Sequence, residues 1–300
     1  MLVAAEVVIV GMGIYALGRG NRSFAAGLHR SDFAATTIAP IAAGAAPHVV
    51  VDDVESRVHI DTSNDELVHV RDLTQIHGAV FSSGKYPQLV VSRTADGVRI
   101  ERPPAPSSSL DIFGFTTEAI EVQVPPSAQL EIARCAGADV RGITGGVNVH
   151  SVDGHVTLSD VDGSVDVRSD DGYVNATNVR GGRLSLVSMD GHIALQDVAV
   201  ASLLATTNDG RIEGDNLNVS GTATLQTDDG PVRLHLAPDA DLTIDATTRD
   251  GNISVDGTSV DRTDDAAQRT IRLGAGTGQM KVMTADGSIH IITNGEAHGL

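Results

Sequence analysis

The sequence contains no tryptophan, a single cysteine and few aromatic residues of any kind. Aromatic residues make up 3% of the 300 residues, whereas hydrophobic residues make up 41%. A core must therefore consist of Val, Ile, Leu and Ala, which fill a thin interior between stacked strands better than the wide interior of a sandwich. The lone Cys135 excludes a disulfide within the chain.

Positive charge is also scarce, because 21 Lys and Arg residues stand against 39 Asp and Glu residues and the formal net charge is −18. Nucleic-acid binding requires a positive patch that contacts phosphates, so we expect no nucleic-acid partner. The acidity is typical of a repetitive β-protein that must stay soluble and avoid the pairing of exposed strand edges.

One short motif, here called the phrase, recurs through the second half of the chain. It consists of Ser or Thr, then any residue, then Asp and Gly. Its successive glycines lie 18 to 21 residues apart until Gly251, and the last glycine follows after 36 residues. A fixed period of about 19 residues is the signature of a repeat architecture. The pairs are Asp153-Gly154, Asp171-Gly172, Asp190-Gly191, Asp209-Gly210, Asp229-Gly230, Asp250-Gly251 and Asp286-Gly287.

Apolar residues two and four places after most of these turns follow the period of a β-strand, as at Val156 and Leu158. Asp-Gly alone is typical of antiparallel hairpins in a meander or sandwich. The fixed period, with the same Ser or Thr in each unit, favours stacked coils instead. We therefore predict an all-β fold, a single-stranded β-solenoid or β-helix with about 19 residues and two short strands per coil, and keep hairpins as the alternative.

The repeats resemble those of the bacterial DUF4097 family of candidate adhesins. The resemblance rests on the segments DGSVDVRSDDGYVNATNVRGG, TTNDGRIEGDNLNVSG, QTDDGPVRLHL and GTGQMKVMTADGSIHII, and on the upstream segment TTEAIEVQVPPSAQLEIARCAGADVRGITG. It spans about residues 49–294. The resemblance implies an extracytoplasmic or surface β-helix-like domain, often tethered by one membrane helix, and it implies no catalytic residues.

The start of the chain is an apolar run over residues 2–17, which predicts a membrane anchor or an uncleaved signal segment over residues 1–20. We expect a single-pass membrane protein whose β-domain is extracytoplasmic, although Arg19 and Arg22 after the run favour the opposite orientation. Gly11, Gly13 and Ala16 match the spacing of a dinucleotide site, but no second strand with an acidic end follows, so we predict no cofactor.

The rest of the chain divides by its pattern. Residues 21–48 are predicted to be a tether, residues 49–135 to be N-terminal strands that cap the solenoid, residues 136–296 to be the solenoid repeats and residues 297–300 to be a tail. Within the capping region, QLVVSRTADGVRIERP predicts a hairpin that turns at Asp96-Gly97.

The sequence indicates no catalytic residues and no metal site, and we predict a protein that is not an enzyme. Its acidic pairs recur as turn elements, and its histidines show no zinc spacing. Calcium-binding β-roll repeats place the acid after the glycines, whereas here Asp precedes Gly, so the seven pairs are predicted to be structural turns. A Pro- and Ser-rich segment is predicted to be a loop that either caps the solenoid or binds a partner through Leu110, Ile112, Phe113 and Phe115.

The repeats and the resemblance to the DUF4097 family together imply a bacterial envelope protein, an adhesin or surface scaffold that presents a repetitive solenoid face to an unknown protein or glycan. One alternative is a regulator or sensor of envelope stress that binds a membrane or peptide partner through the loop at residues 110–115. Another is a self-assembling scaffold similar in principle to bactofilins, which would make the protein a homo-oligomer.

Overall fold

The computed structural model describes residues 35–82, 87–104, 109–259, 267–293 and 298–299. The regular secondary structure in these ranges consists of β-strands. No helix in the described ranges is long and apolar enough to span a bilayer. The apolar run over residues 1–20 lies outside the described residues. The described chain forms two compact units. The larger comprises Ala35–Leu73, Leu89–Arg102 and Glu118–Leu300, and the smaller comprises Thr74–Gln88 and Pro103–Thr117.

The strands are, in chain order, β1 (Thr36–Ala42), β2 (His48–Asp52), β3 (Arg57–Thr62), β4 (Leu67–Asp72), β5 (Gln75–Ser82), β6 (Val90–Arg93), β7 (Gly97–Glu101), β8 (Ser109–Thr117), β9 (Ala119–Val124), β10 (Gln129–Cys135), β11 (Gly137–Arg141), β12 (Val147–Ser151), β13 (Val156–Asp162), β14 (Val165–Asp171), β15 (Val174–Asp190), β16 (Ile193–Asp209), β17 (Ile212–Asp229), β18 (Val232–Leu236), β19 (Leu242–Thr248), β20 (Ile253–Val255), β21 (Thr258–Ser259), β22 (Ala267–Arg272), β23 (Gly278–Asp286), β24 (Ile289–Ile292) and β25 (His298–Gly299).

The larger unit consists of coils that each place one strand on a first face and the next strand on a second face, here called face A and face B. Equivalent strands of successive coils pair in parallel and in register, so that Val156 lies opposite Val174, and Val174 opposite Ile193. This pairing confirms the all-β, solenoid-like prediction and excludes hairpins as the arrangement of the repeats.

Each face has its own order of strands in space. Face A runs through β6, β7, β2, β10, β12, β14, the second halves of β15, β16 and β17, then β23, β19 and β22. Face B runs through β1, β4, β9, β3, β11, β13, the first halves of β15, β16 and β17, then β18, β24, β20 and β21. The predicted boundary between capping strands and repeats at residue 136 therefore falls inside a continuous parallel stack.

The core lies between the two faces and consists of the aliphatic side chains that the composition predicts. Alternate residues of each strand are buried, such as Val165 and Val167 on face A and Val156 and Leu158 on face B. Full burial of one such side chain contributes about 1.5–3 kcal/mol. Cys135 is also fully buried, and its burial raises the pKa of the thiol above the ordinary value.

Chain order and spatial order differ at both ends of the stack. Near the N terminus, β2 and β3 lie between the coil of β7 and β9 and the coil of β10 and β11, although β2 and β3 come first in the sequence. Near the C terminus, β23 and β24 lie between β17/β18 and the earlier strands β19/β20. The chain thus passes outward to the last coil and then returns, which explains the 36-residue interval before the final Asp-Gly pair.

Antiparallel strands flank the end coils. At one end, β6 forms with β7 the hairpin predicted at Asp96-Gly97, and Thr94 N donates to Gly97 O at 2.9 Å. At the other end, β22 pairs antiparallel with β19, and β21 with β20. The segment predicted to be a tether is corrected in part, because its residues 36–42 form strand β1, which pairs with β4. Pro40 in β1 cannot donate a ladder hydrogen bond, which discourages further strand addition there.

Candidate functional site

The Asp-Gly turns stack into one column where the chain passes from face A to face B. Within this column, Asp209 lies in register with Asp229 of the next coil. A Cβ atom on Gly210 would lie only 2.0 Å from the carbonyl oxygen of Gly191, and one on Gly191 only 1.9 Å from that of Gly172. Because any side chain would force two coils apart, the repeated glycine is required for close approach of the backbones.

The Ser or Thr that opens each phrase is buried beneath the same column. Thr227 is 1% exposed, and its hydroxyl donates to the carbonyl oxygen of Gly210 at 2.8 Å. Thr207 bonds the carbonyl oxygen of Gly191 in the same way, also at 2.8 Å. One such neutral hydrogen bond contributes about 0.5–1.5 kcal/mol. The hydroxyls of Thr207 and Thr227 therefore join neighbouring coils, whereas those of Ser151 and Ser169 donate within their own turns, to the carbonyl oxygens of Gly154 and Asp171.

The aspartates of the phrase are exposed at the surface of the column. They are Asp153, Asp171, Asp190, Asp209, Asp229, Asp250 and Asp286. In the part of the chain that the structure describes, no three His, Cys, Asp or Glu side chains converge in a way that could hold a metal ion. A structural role for the phrase accounts for its buried hydroxyl and its glycine without any ligand.

A second column, which the sequence prediction missed, lies at the ends of the face B strands. Asp160, Asn178, Asp197 and Asn216 all have φ between 53° and 56°. Asn216 Nδ2 donates to Asp197 Oδ1 at 2.7 Å, and Asn178 donates to Asp160 in the same way. Asp and Asn tolerate this left-handed conformation better than other non-glycine residues. The available signal was an Asp or Asn before Val or Leu at the same 18- to 19-residue spacing.

The outward positions of face B form a third column, here called the outer column, whose residues differ from coil to coil. In spatial order it contains Arg71, Glu121, His59, Asp139, Thr157, Asn175, Ala194, Glu213, Arg233, His290 and Ser254. The inward and turn positions repeat because stacking requires them to do so. The outward positions are free of that requirement, so their chemistry is available for recognition.

Three residues near one end of the outer column form a group, here called the Asp139 cluster. Arg57 Nε and Nη2 donate to the two carboxylate oxygens of Asp139 at 3.0 and 3.1 Å, and His59 Nδ1 lies 2.9 Å from Oδ2. Burial acts to raise the pKa of Asp139, but the hydrogen bond and charge of Arg57 outweigh it and hold that pKa below its ordinary value. The two-point contact fixes the planes of both groups.

Two stacked rings, here called the ring pair, lie beside the Asp139 cluster. The rings of His155 and Tyr173 are 3.6 Å apart between centroids and inclined by 18°. Tyr173 N donates to His155 Nδ1 at 3.4 Å, so the neutral imidazole carries its proton on Nε2. Tyr173 is 45% exposed, and it is the only Phe, Tyr or Trp after residue 117.

Farther along the outer column, the outward side chains of β15 to β18 and β24 line an open depression of about 370 Å³. Glu213 Oε1 lies 3.2 Å from Arg233 Nη1, and Asp215 Oδ1 lies 2.8 Å from His235 Nδ1. A second open depression, of about 570 Å³, lies on face A and is lined in part by Asp166. Both are surface features along the strands and show no enclosed cleft.

The most deeply buried ion pairs surround Arg102, whose side chain is 5% exposed. Its Nε lies 2.8 Å from Asp53 and 3.6 Å from Glu118, and its Nη2 lies 3.0 Å from Asp72. Burial alone would lower the pKa of Arg102, but the hydrogen bonds and charges of Asp72 and Asp53 raise it above its ordinary value. Asp72, Arg102 and Glu118 lie at or next to points where the chain leaves or re-enters the larger unit, and the cluster ties them to Asp53, so we interpret it as structural.

Comparison with known proteins identifies the family. A family model described as Toastrack DUF4097 matches residues 48–292. The chain belongs to the DUF4097 family. This confirms the resemblance drawn from the repeats. No curated protein matches the chain.

Two solved structures are similar to this DUF4097 chain. One is a candidate cell adhesion protein from Clostridium sporogenes, with 8% identity, a TM-score of 0.27 and coverage of 87% of this chain and 99% of the other. The second is a candidate adhesin from Bacteroides fragilis, with 9% identity, a TM-score of 0.27 and coverage of 88% of this chain and 98% of the other.

The sequence prediction of a loop at Leu110, Ile112, Phe113 and Phe115 is wrong for this DUF4097 chain. These residues lie in β8, which pairs antiparallel with β5 in a separate two-stranded sheet. Phe113 lies opposite Ala79 and Phe115 opposite His77, so backbone pairing over a long sequence separation makes this segment a strand. Its proposed role in partner binding stays a prediction.

Proposed function

We propose that this protein is a non-enzymatic, adhesin-like protein of a bacterial envelope, which binds its target through the outward side chains of the solenoid faces. The observation that carries the proposal is the contrast within each coil. Inward and turn positions are nearly constant, whereas the outer column changes from Arg71 through Asp139 and Ala194 to His290. A rigid backbone with a varied polar surface is suited to recognition of a specific partner.

The surface geometry favours binding over catalysis. An enzyme site usually lies in a concave pocket where a few polar groups converge. The two depressions described above are open and run along the strands. The names of the two similar structures, a cell adhesion protein and an adhesin, agree with this proposal without carrying it. The extracytoplasmic location and the membrane anchor at residues 1–20 are part of the proposal and rest on the sequence.

The strand edges weigh against the scaffold alternative. End-to-end assembly of solenoids requires long, regular terminal strands that can accept another strand. Here, at the N-terminal end of the stack, β1 contains Pro40 and β6 has four residues. The regulator alternative remains distinct, because it places binding in residues 110–115 of β8.

The proposal is tested by expressing the full-length chain in a non-adherent bacterial host. We expect these bacteria to be retained several-fold better on the surfaces of immobilised target cells. Protease added outside the bacteria should remove the β-domain. As a control, a variant with Asp153→Asn and Asp190→Asn changes exposed residues of the turn column and should retain adhesion. A domain that the protease reaches without any gain in adhesion would overturn the proposal, and a change in gene expression alone would favour the regulator.

A further inference from the structure

The Asp139 cluster and the ring pair lie close together near one end of the outer column. The Asp139 cluster places a guanidinium, an imidazole and a carboxylate in one fixed group. Parallel register sets His59, Asp139 and Thr157 side by side on successive strands. The ring pair lies at the starts of two neighbouring strands of face B, since His155 immediately precedes β13 and Tyr173 immediately precedes β15.

The two rings of the ring pair are held nearly parallel, and Tyr173 is 45% exposed. His155 stacks on Tyr173 and accepts a hydrogen bond from its backbone, so the imidazole cannot turn freely. The position equivalent to His155 in the preceding coil is Gly137, because Ala138 lies in register with Val156. Gly137 therefore places no side chain of its own against the His155 ring. Arg57 lies in register with Gly137, so Arg57, Gly137, His155 and Tyr173 follow one another at equivalent positions of successive coils, which places the ring pair next to the Asp139 cluster.

An exposed aromatic residue at this place calls for an explanation other than packing. The aromatic content of the chain is 3%, the described core is aliphatic, and the other aromatic residues all lie before residue 117. Burial cannot explain Tyr173, because nearly half of it is exposed. An exposed aromatic ring beside a fixed polar group is a typical arrangement for binding an amphipathic ligand.

A pyranose ring has this amphipathic character, with C–H groups on one face and hydroxyl groups around its edge. The C–H face can lie on an aromatic ring, and the hydroxyls can exchange hydrogen bonds with Arg57, His59 and Asp139. The positive charge of Arg57 is balanced by Asp139, and the whole chain carries a formal charge of −18. Polyanionic ligands would be repelled by this field. We propose that the ring pair and the Asp139 cluster together form a binding site for a neutral glycan.

This inference rests on the proposed adhesive function and names the class of its target. The test uses the full-length protein and, as probes, short oligosaccharides of neutral hexoses and N-acetylhexosamines, with uronic-acid oligosaccharides as the acidic counterpart. Binding is followed by saturation-transfer NMR and by tyrosine emission, which no tryptophan obscures. We expect a neutral probe to bind more tightly than the acidic probes.

Two substitutions should weaken that binding at least tenfold without loss of the fold. Tyr173→Ala removes the ring, and Asp139→Asn disrupts the charged group, whereas Tyr173→Phe keeps the ring and should bind within about threefold of the wild type. Asp209→Asn is the matched control, because Asp209 is an exposed carboxylate of the turn column outside the outer column and its substitution should leave binding unchanged. Circular dichroism and the melting temperature verify that each variant is folded.

The possible failures are distinguishable. Bacteria that express the wild-type chain and bacteria that express the Tyr173→Ala variant are compared. If both adhere equally well, the site assignment is wrong and the adhesive function stands. If neutral probes do not bind the full-length protein, or if acidic probes bind better, the assignment of a neutral glycan is wrong. If the wild-type chain confers no adhesion at all, the proposed function itself fails.

Discussion

Replacement of Gly210 by alanine adds one methyl group, yet we expect it to cost several kcal/mol of folding free energy. The new Cβ atom would lie 2.0 Å from the carbonyl oxygen of Gly191, whereas Cβ atoms in proteins essentially never approach within 3.0 Å of another heavy atom. The neighbouring coil must therefore retreat by about 1 Å, a distance that weakens any hydrogen bond of ordinary length.

The ladder around this point shows what the retreat would disturb. Ile193 N donates to Arg211 O at 3.0 Å, and the Thr207 hydroxyl donates to Gly191 O at 2.8 Å. Loss of two or three such bonds at about 1 kcal/mol each, together with lost packing, gives a destabilisation of about 3–4 kcal/mol. For a domain of this size, that corresponds to a melting temperature lower by about 6–15 °C.

The assay is urea and thermal unfolding followed by circular dichroism. The matched control is Gly182→Ala in β15, where an added Cβ would meet no atom within 4 Å. We expect this control to be neutral or stabilised by up to about 1 kcal/mol, because alanine lowers the entropy of the unfolded chain. If Gly210→Ala lost less than about 1 kcal/mol, or if both variants lost stability equally, the close-approach explanation of the repeated glycine would be refuted.

Three further predictions concern other contacts. Thr227→Val keeps the shape of the buried side chain but removes its bond to Gly210 O, so we expect a loss of about 1–2 kcal/mol in urea unfolding. Arg102→Met leaves three buried carboxylates without the cation between them, and we expect a loss of about 3–5 kcal/mol in the same assay. Asp241 accepts hydrogen bonds from the Thr277 hydroxyl and from nearby backbone N–H groups, which lower its pKa, so its contribution is present above pH about 4 and is lost as pH falls through the lower folded-state pKa. Asp241→Asn should therefore make the melting temperature less sensitive to pH below about 4.

Each of these has a matched control elsewhere in the chain. Thr224→Val changes an outward position of the same strand as Thr227 and should cost little. Arg99→Met removes an exposed ion pair with Glu101, which is worth about 0–1 kcal/mol. Asp239→Asn changes an exposed residue close to Asp241 and shows whether the loss of any nearby carboxylate has the same effect. An effect as large in a control as in its partner would contradict the role assigned to the partner.

Local signals in the sequence were sufficient to predict the repeats, because each coil contains its own turn and its own alternating strand. The period of about 19 residues, the inward Val and Leu side chains and the aliphatic core all follow from patterns within about twenty residues. The physical role of the glycine differs from the expected one. It allows close approach between coils, whereas a type I′ hairpin turn would require positive φ at the aspartate as well.

Contacts between distant segments could not be predicted in the same way. The apolar pattern of β23 would suit any parallel neighbour, so nothing local indicates that it lies between β17 and β19. The buried cluster of Arg102 joins three acidic residues from different parts of the chain. Strand β8 was mistaken for a loop because its Pro- and Ser-rich surroundings dominate the local signal, while its partner β5 is distant in sequence. The ring pair likewise depends on residues one repeat apart, and the sequence shows only an isolated Tyr173.

The placement of β23 and β24 between earlier strands has a consequence for synthesis and quality control. During translation, β19 and β20, which form the outer coil, leave the ribosome first. Strands β23 and β24, which separate this coil from β17 and β18, follow later. A chain that stops after β20 would therefore lack an interior layer, whereas most repeat proteins lose only an end when they are shortened. Its exposed strand edges would be open to pairing with other chains. Only a chain translated through β24 can complete the stack, so the arrangement distinguishes finished chains from truncated ones.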